Sequence, residues 1–68
     1  MMIDTNIIKS ELVKNGLNYK SLSKVLNISI STLGNKMNYR TPFTVDELIQ
    51  IATFFNKEVT FFLKSNCH

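Results

Sequence analysis

The sequence predicts an all-α fold, a compact bundle of about five short helices, and three observations carry that prediction. Apolar residues recur at helical spacing in successive short segments. Residues that start or stop helices bracket each segment: Asp4 or Thr5, Gly16, Asn18, Asn27, Ser29, Thr44 and Asn56. No Asp-Gly pair marks a hairpin, and Val59 to Leu63 is the only plausible strand.

The first helix is expected from Thr5 to Asn15. Ile3, Ile7, Ile8, Leu12 and Val13 form its apolar stripe, and Lys9, Ser10, Glu11 and Lys14 lie off it. Asp4 or Thr5 can cap its start, and Gly16 can take the left-handed conformation that ends it, with Leu17 folding back onto the last turn. Asn18 caps a second helix, Tyr19 to Leu26, whose apolar positions are Leu22, Val25 and Leu26. Asn27 takes the next corner because asparagine tolerates a left-handed backbone, and Ile28 plugs the core there. Ser29 caps a third helix whose core face is Leu33 and Met37, leaving Ile30, Ser31, Gly34, Asn35 and Asn38 largely on other faces. A surface helix ordinarily carries charges there; small polar residues suit close approach to another surface.

Tyr39 to Pro42 read as a loop. Thr44-Val45-Asp46-Glu47 is a capping box, with Phe43 and Leu48 as its hydrophobic staple. The fourth helix runs to about Phe55, and its apolar residues spread so widely that burial on more than one side is expected. Asn56 can end it, and Thr60 can start a last turn from Phe61 to Lys64.

Residues 1–68 read as a single domain with a small core, since a chain of this size buries only about 60% of its unfolded surface. Hydrophobic residues make up 44% of it, too many for a disordered tail. No apolar run approaches the roughly 20 residues of a membrane span, and the N-terminus lacks a signal-peptide pattern. The expectation is a cytoplasmic protein. Cys67 is expected to be an ordinary free thiol, and His68 an unconstrained chain end.

One Cys and one His make no zinc site, two isolated glycines make no phosphate loop, and the carboxylates have capping or surface explanations. No catalytic residue, metal, cofactor or small-molecule ligand is expected, and the chain is not read as an enzyme. Charge points elsewhere. The net charge is +3, but residues 18–40 carry Lys20, Lys24, Lys36 and Arg40 with no acid. A basic excess confined to one region indicates a polyanionic partner.

That region coincides with Asn18 to Met37, two short helices joined by a tight corner. Leu22, Ser23, Leu26, Ile28 and Leu33 can form their shared seam, with Ser23 small enough for a close crossing. This is the pattern of a DNA-reading helix-turn-helix, in which the second helix projects toward base edges.

From Lys9 to Leu63 the chain resembles the phage-repressor and Cro type of helix-turn-helix domain. The carrying residues are Leu22-Ser23, Leu26-Asn27-Ile28-Ser29, Ser31-Thr32-Leu33 and the run from Lys36 to Thr44. The resemblance implies a lambda-repressor-like fold and a sequence-specific regulator of double-stranded DNA, reading the major groove with helix 30–37. It implies that Ile30, Ser31 and Asn35 read bases, with Ser29, Thr32 and Gly34 close by. It places Tyr19 where a family glutamine touches phosphate, and Lys36, Asn38, Tyr39 and Arg40 where the end of the reading helix meets phosphates. Steering and affinity would come from Lys20, Lys36 and Arg40.

The chain departs from that family at several positions. Asn27 replaces the usual corner glycine. Gly34 costs its helix roughly 1 kcal/mol relative to alanine. The reading positions lack Arg and Gln, so Asn35 on adenine and Ile30 on a thymine methyl would favour A·T contacts. Phe61-Phe62-Leu63 is unusually apolar, and a short turn cannot hide all three. Phe61 is the residue expected outside, and a homodimer contact is expected from Phe54, Phe61, Phe62 and Leu63. The rival reading is a protein-binding module of the same fold, antirepressor- or antitoxin-like, which engages another regulator.

Overall fold

A computed structural model of the chain describes residues 3–64; the expectations for the first two residues, Cys67 and His68 lie outside them. Four α-helices follow in order: α1 Thr5–Lys14, α2 Tyr19–Leu26, α3 Ile30–Met37 and α4 Val45–Phe55. A 3-10 turn, Val59–Phe62, closes the described chain. The all-α expectation therefore holds.

Local signals set the helix starts. Asp4, Asn18, Ser29 and Thr44 each accept a backbone amide of the first turn through a side-chain oxygen, satisfying a donor the helix itself leaves orphaned. At Thr44 the capping box is complete: Glu47 Oε1 accepts the Thr44 amide at 2.8 Å while Thr44 Oγ1 accepts the Glu47 amide at 3.1 Å.

The four helix ends share one solution. Gly16, Asn27, Tyr39 and Asn56 all have φ between 56° and 66°. In each case the following amide reaches the carbonyl five residues back: Leu17 to Leu12, Ile28 to Ser23, Arg40 to Asn35 and Lys57 to Ala52, at 2.8 to 3.0 Å. This is the Schellman closure, and glycine or asparagine supplies its left-handed residue at three of the four ends. Tyr39 is the exception: a left-handed backbone costs a residue with a Cβ about 1 kcal/mol or more, and tyrosine lacks the short polar side chain by which asparagine tolerates it.

The core is built from Ile8, Leu12, Leu22, Leu26, Leu33, Met37, Leu48, Ile51 and Phe62, with Ile3 and Ala52 at its margin. Helix α2 lies at its centre, packed on both α3 and α4. The terminal turn packs on α4 and touches α1. Residues Ile3 and Leu63 form an antiparallel bridge, and the Asp4 amide donates to the Phe62 carbonyl at 2.8 Å, so the two ends of the described chain are joined.

Four expectations need correction. In α1 the buried side is Thr5, Ile8, Glu11 and Leu12, whereas Val13 is 77% exposed. The stripe is turned toward position 11, where Lys14 reaches the Glu11 carboxylate at 3.2 Å from the solvent side. Helix α4 buries one side only: Leu48, Ile51 and Ala52 face the core, while Val45, Ile49 and Phe54 are exposed. Tyr39 is not simply the first residue of a loop, since it closes α3.

The last turn begins at Val59, one residue before Thr60, and is not a strand. Because side chains three apart align in a 3-10 turn, Val59 and Phe62 share its inner side and Phe61 points out. Phe62 is 0% exposed and Phe61 41%. Phe62 is therefore a core residue and is removed from the expected dimer contact.

Candidate nucleic-acid interface

Helices α2 and α3 meet at Asn27, whose left-handed backbone turns the chain so that Ile28 packs against the core and Ser29 starts α3. Ser23 is buried at this crossing and donates its hydroxyl to the Lys20 carbonyl at 2.8 Å, so a small polar side chain is accommodated without an unpaired group. Leu33 and Met37 anchor α3 inward.

The opposite side of α3 is open. Ile30 is 50% exposed, and Ser31, Thr32 and Asn35 are exposed as well. Among the described residues the Ser31 and Asn35 side chains have no hydrogen-bond partner. The Ser29 hydroxyl accepts the Thr32 amide at 3.0 Å and donates to Thr32 Oγ1 at 2.8 Å, which holds both at the helix start. Gly34 is half-buried, yet a Cβ built there would meet no atom within 4 Å. Nothing inside the fold explains the glycine.

Around this face Lys20, Lys24 and Arg40 are exposed and form no ion pair among the described residues. Tyr19, at the first position of α2, lies partly buried against the core.

Two residues expected at phosphates are committed within the protein. Lys36 Nζ pairs with Glu47 Oε1 at 3.0 Å and donates to the Pro42 carbonyl at 2.9 Å, and the two side chains are only 11% and 14% exposed. Its ammonium also lies 5.9 Å from the Phe43 ring centre. Burial acts to raise the Glu47 carboxyl, but the Thr44 amide and the Lys36 ammonium outweigh it and hold the carboxyl below its ordinary value. Lys36 thus ties the end of α3 to the start of α4 across the intervening loop, with its charge paired to Glu47 there.

Tyr39 is likewise engaged. Its hydroxyl accepts the Thr5 amide at 3.2 Å and the Thr5 hydroxyl at 3.3 Å, and donates to the Ile3 carbonyl at 3.1 Å. The Thr5 hydroxyl and amide hold the phenol below its ordinary pKa. Asn38 donates to the Gly34 carbonyl at 2.9 Å and ends α3. Of the expected phosphate residues at this end, Arg40 has the unpaired, exposed charge.

Composition and spacing could not reveal the Lys36–Glu47 pair or the Tyr39 tie, because each forms only when separate elements pack. The one advance signal was the capping-box glutamate, which fixes a carboxylate at the start of α4.

This combination of a tight α2–α3 corner, an inward-anchored second helix and an unpaired polar outer face defines a helix-turn-helix protein. A helix-turn-helix family model matches residues 8–62, and the chain belongs to that family, the Cro/repressor-like helix-turn-helix domains. No curated protein and no solved structure matches the chain significantly. No helix among the described residues is long and apolar enough to cross a membrane.

Proposed function

We propose that the protein is a sequence-specific regulator of transcription, Cro/repressor-like, which acts in the cytoplasm and lays α3 in the major groove of double-stranded DNA. The observation that carries this reading is the outer face of α3: Ile30, Ser31 and Asn35 lie open beside a glycine that the fold does not require. Asn35 can pair bidentately with adenine and Ile30 can pack on a thymine methyl, so the contacted bases are mainly A·T. Lys20 and Arg40 bind phosphates, and the Ser29 and Thr32 hydroxyls position the helix start. Tyr19 and Asn38 border the two ends of this surface.

A single module reading one half-site binds weakly, so the regulator acts as a homodimer. Phe54 and Phe61 provide the exposed apolar contact, backed by Phe55 and Phe62 in a chain of rings with centroids 5.0 to 5.9 Å apart. Leu63 borders it. Lys57 lies 5.1 Å from the Phe61 ring centre and marks the polar rim.

Selection of bound duplexes from a random pool, followed by titration at two salt concentrations, tests the proposal. A recovered A·T-rich, two-fold symmetric site whose affinity falls steeply with salt is expected. Replacing Arg40 with alanine is expected to reduce the slope of log affinity against log salt by about one. Sites centred on guanine contacts would overturn the base assignment. No enrichment and no salt dependence would favour a protein-binding module on the same fold, for which Phe54 and Phe61 are the docking residues. A Phe61→Glu variant with an unchanged solution mass would remove the dimer assignment.

A further inference from the structure

Side-chain hydrogen bonds and ion pairs among the described residues are local, reaching at most from Lys36 to Glu47, with one exception. The Tyr39 hydroxyl spans 34 positions to Thr5 and 36 to Ile3. Thr5 is the first residue of α1, so its amide is a donor that the helix cannot satisfy internally, and the tyrosine oxygen supplies the missing acceptor. Ile3 is bridged to Leu63, so the same hydroxyl fastens the exit of α3 to both joined ends of the described chain. Lys64 covers the outer side of the ring at 4.8 Å from its centre.

The backbone at Tyr39 argues that this tie has a purpose beyond ending the helix. Asparagine closes α2 and α4 in the same conformation, and a bulky side chain is an outlier there. Asparagine at position 39 would end α3 with less strain but could not reach Thr5. The next residue is Arg40, whose amide bonds to the Asn35 carbonyl. Fixing Tyr39 therefore fixes the course of the chain from a base-reading position to a phosphate-binding one.

We propose that Tyr39 is a positioning residue for DNA binding: its hydroxyl latch on Thr5 and Ile3 holds the end of α3 and Arg40 in their binding arrangement, without itself touching DNA. The proposal rests on the DNA-binding reading above. The latch orders this segment in the free protein, so that less order has to be imposed when the complex forms.

Tyr39→Phe removes the hydroxyl, and Thr5→Pro removes both of its donors from the other side. Proline suits the first helical position, where the amide has no intrahelical partner, and Asp4 is already extended as a residue before proline requires. Thr5 is 4% exposed and cannot itself reach DNA. The variants are compared where circular dichroism shows them folded, by amide exchange and by binding to a random-sequence 20-base-pair duplex at low salt.

Each single variant is expected to bind the duplex about three- to tenfold more weakly, the equivalent of losing one net hydrogen bond. The double variant is expected to be no weaker than the worse single, and exchange at Tyr39 and Arg40 to quicken relative to the middle of α4. Normal binding by Thr5→Pro beside weakened binding by Tyr39→Phe would mean that the tyrosine touches DNA directly, overturning the proposal. Unchanged exchange and affinity in both would overturn it too. A wild-type protein that binds no duplex would sink the DNA reading itself and the proposal with it.

Discussion

The two ends of α3 are built on opposite terms. From Ile30 to Asn35 the outward side chains are held only by their own helix or are unbonded, and Gly34 leaves space where most helices carry a side chain. From Lys36 to Tyr39 the polar side chains are bonded to other parts of the chain or back to the helix: Lys36 to Glu47 and Pro42, Asn38 to Gly34, and Tyr39 to Thr5 and Ile3. A reading helix has to leave base-contacting groups unsatisfied by the protein while keeping its own orientation fixed. Here the reading face is open and the exit is anchored.

Breaking the anchored end is expected to give the largest effect. Lys36→Met keeps the apolar stem and removes the ammonium, leaving the Glu47 carboxylate mostly buried beside the Thr44 amide alone. We expect a loss of about 2 kcal/mol of stability in urea unfolding, less than for a fully buried pair. The pH dependence has a definite sign. Glu47 titrates below its ordinary value in the folded protein, so its contribution is present above the unfolded carboxylate pKa and is lost as the pH falls through the folded one. Stability is therefore expected to decline on acidification below the ordinary carboxylate range, and Lys36→Met to flatten that decline. An unchanged urea midpoint together with a large loss of DNA affinity would return Lys36 to the phosphate surface.

The open end gives a smaller effect in the opposite direction. Since no atom lies near a Cβ built at Gly34, Gly34→Ala meets no clash and gains helix propensity, so it is expected to raise stability by about 1 kcal/mol. The same methyl would stand on the face assigned to DNA, where duplex affinity is expected to fall. A gain in both quantities would show that DNA does not approach the backbone at this point, and would leave the glycine without explanation.

What the sequence made legible divides along similar lines. Helix starts at Asp4, Asn18, Ser29 and Thr44, and ends at Gly16, Asn27 and Asn56, depend on residues within one turn, so the composition of each corner suffices to recognise them. The open face of α3 was legible for a related reason, because its residues are defined by their phase against Leu33 and Met37. The anchored end was not. The partner of Lys36 lies on another helix and that of Tyr39 at the far end of the chain, and no local pattern encodes either distance. Phe62 was misjudged because a start one residue later in a 3-10 turn moves the inward position. Val13, placed on the stripe, and Glu11, placed off it, exchanged roles because they lie on opposite sides of Ile8 and Leu12, and which side is covered is set only when a neighbour packs there.

The smallest structural effect sharpens the contrast most. Asn35 is exposed, its side chain has no partner among the described residues, and its carbonyl accepts the Arg40 amide. Asn35→Ala keeps that carbonyl and slightly improves helix propensity, so stability is expected to stay within about 0.5 kcal/mol of wild type. If this face reads adenine, the variant loses a bidentate pair worth about 1 to 3 kcal/mol of discrimination at one base position. Affinity for random duplex and its salt slope are expected to stay as they were, because no phosphate contact is removed. Competition between the selected site and a single-base variant measures this directly. A uniform loss of affinity across sequences would place Asn35 on the backbone instead, and the selectivity would then have to come from Ile30, Ser31 and the shape of the duplex.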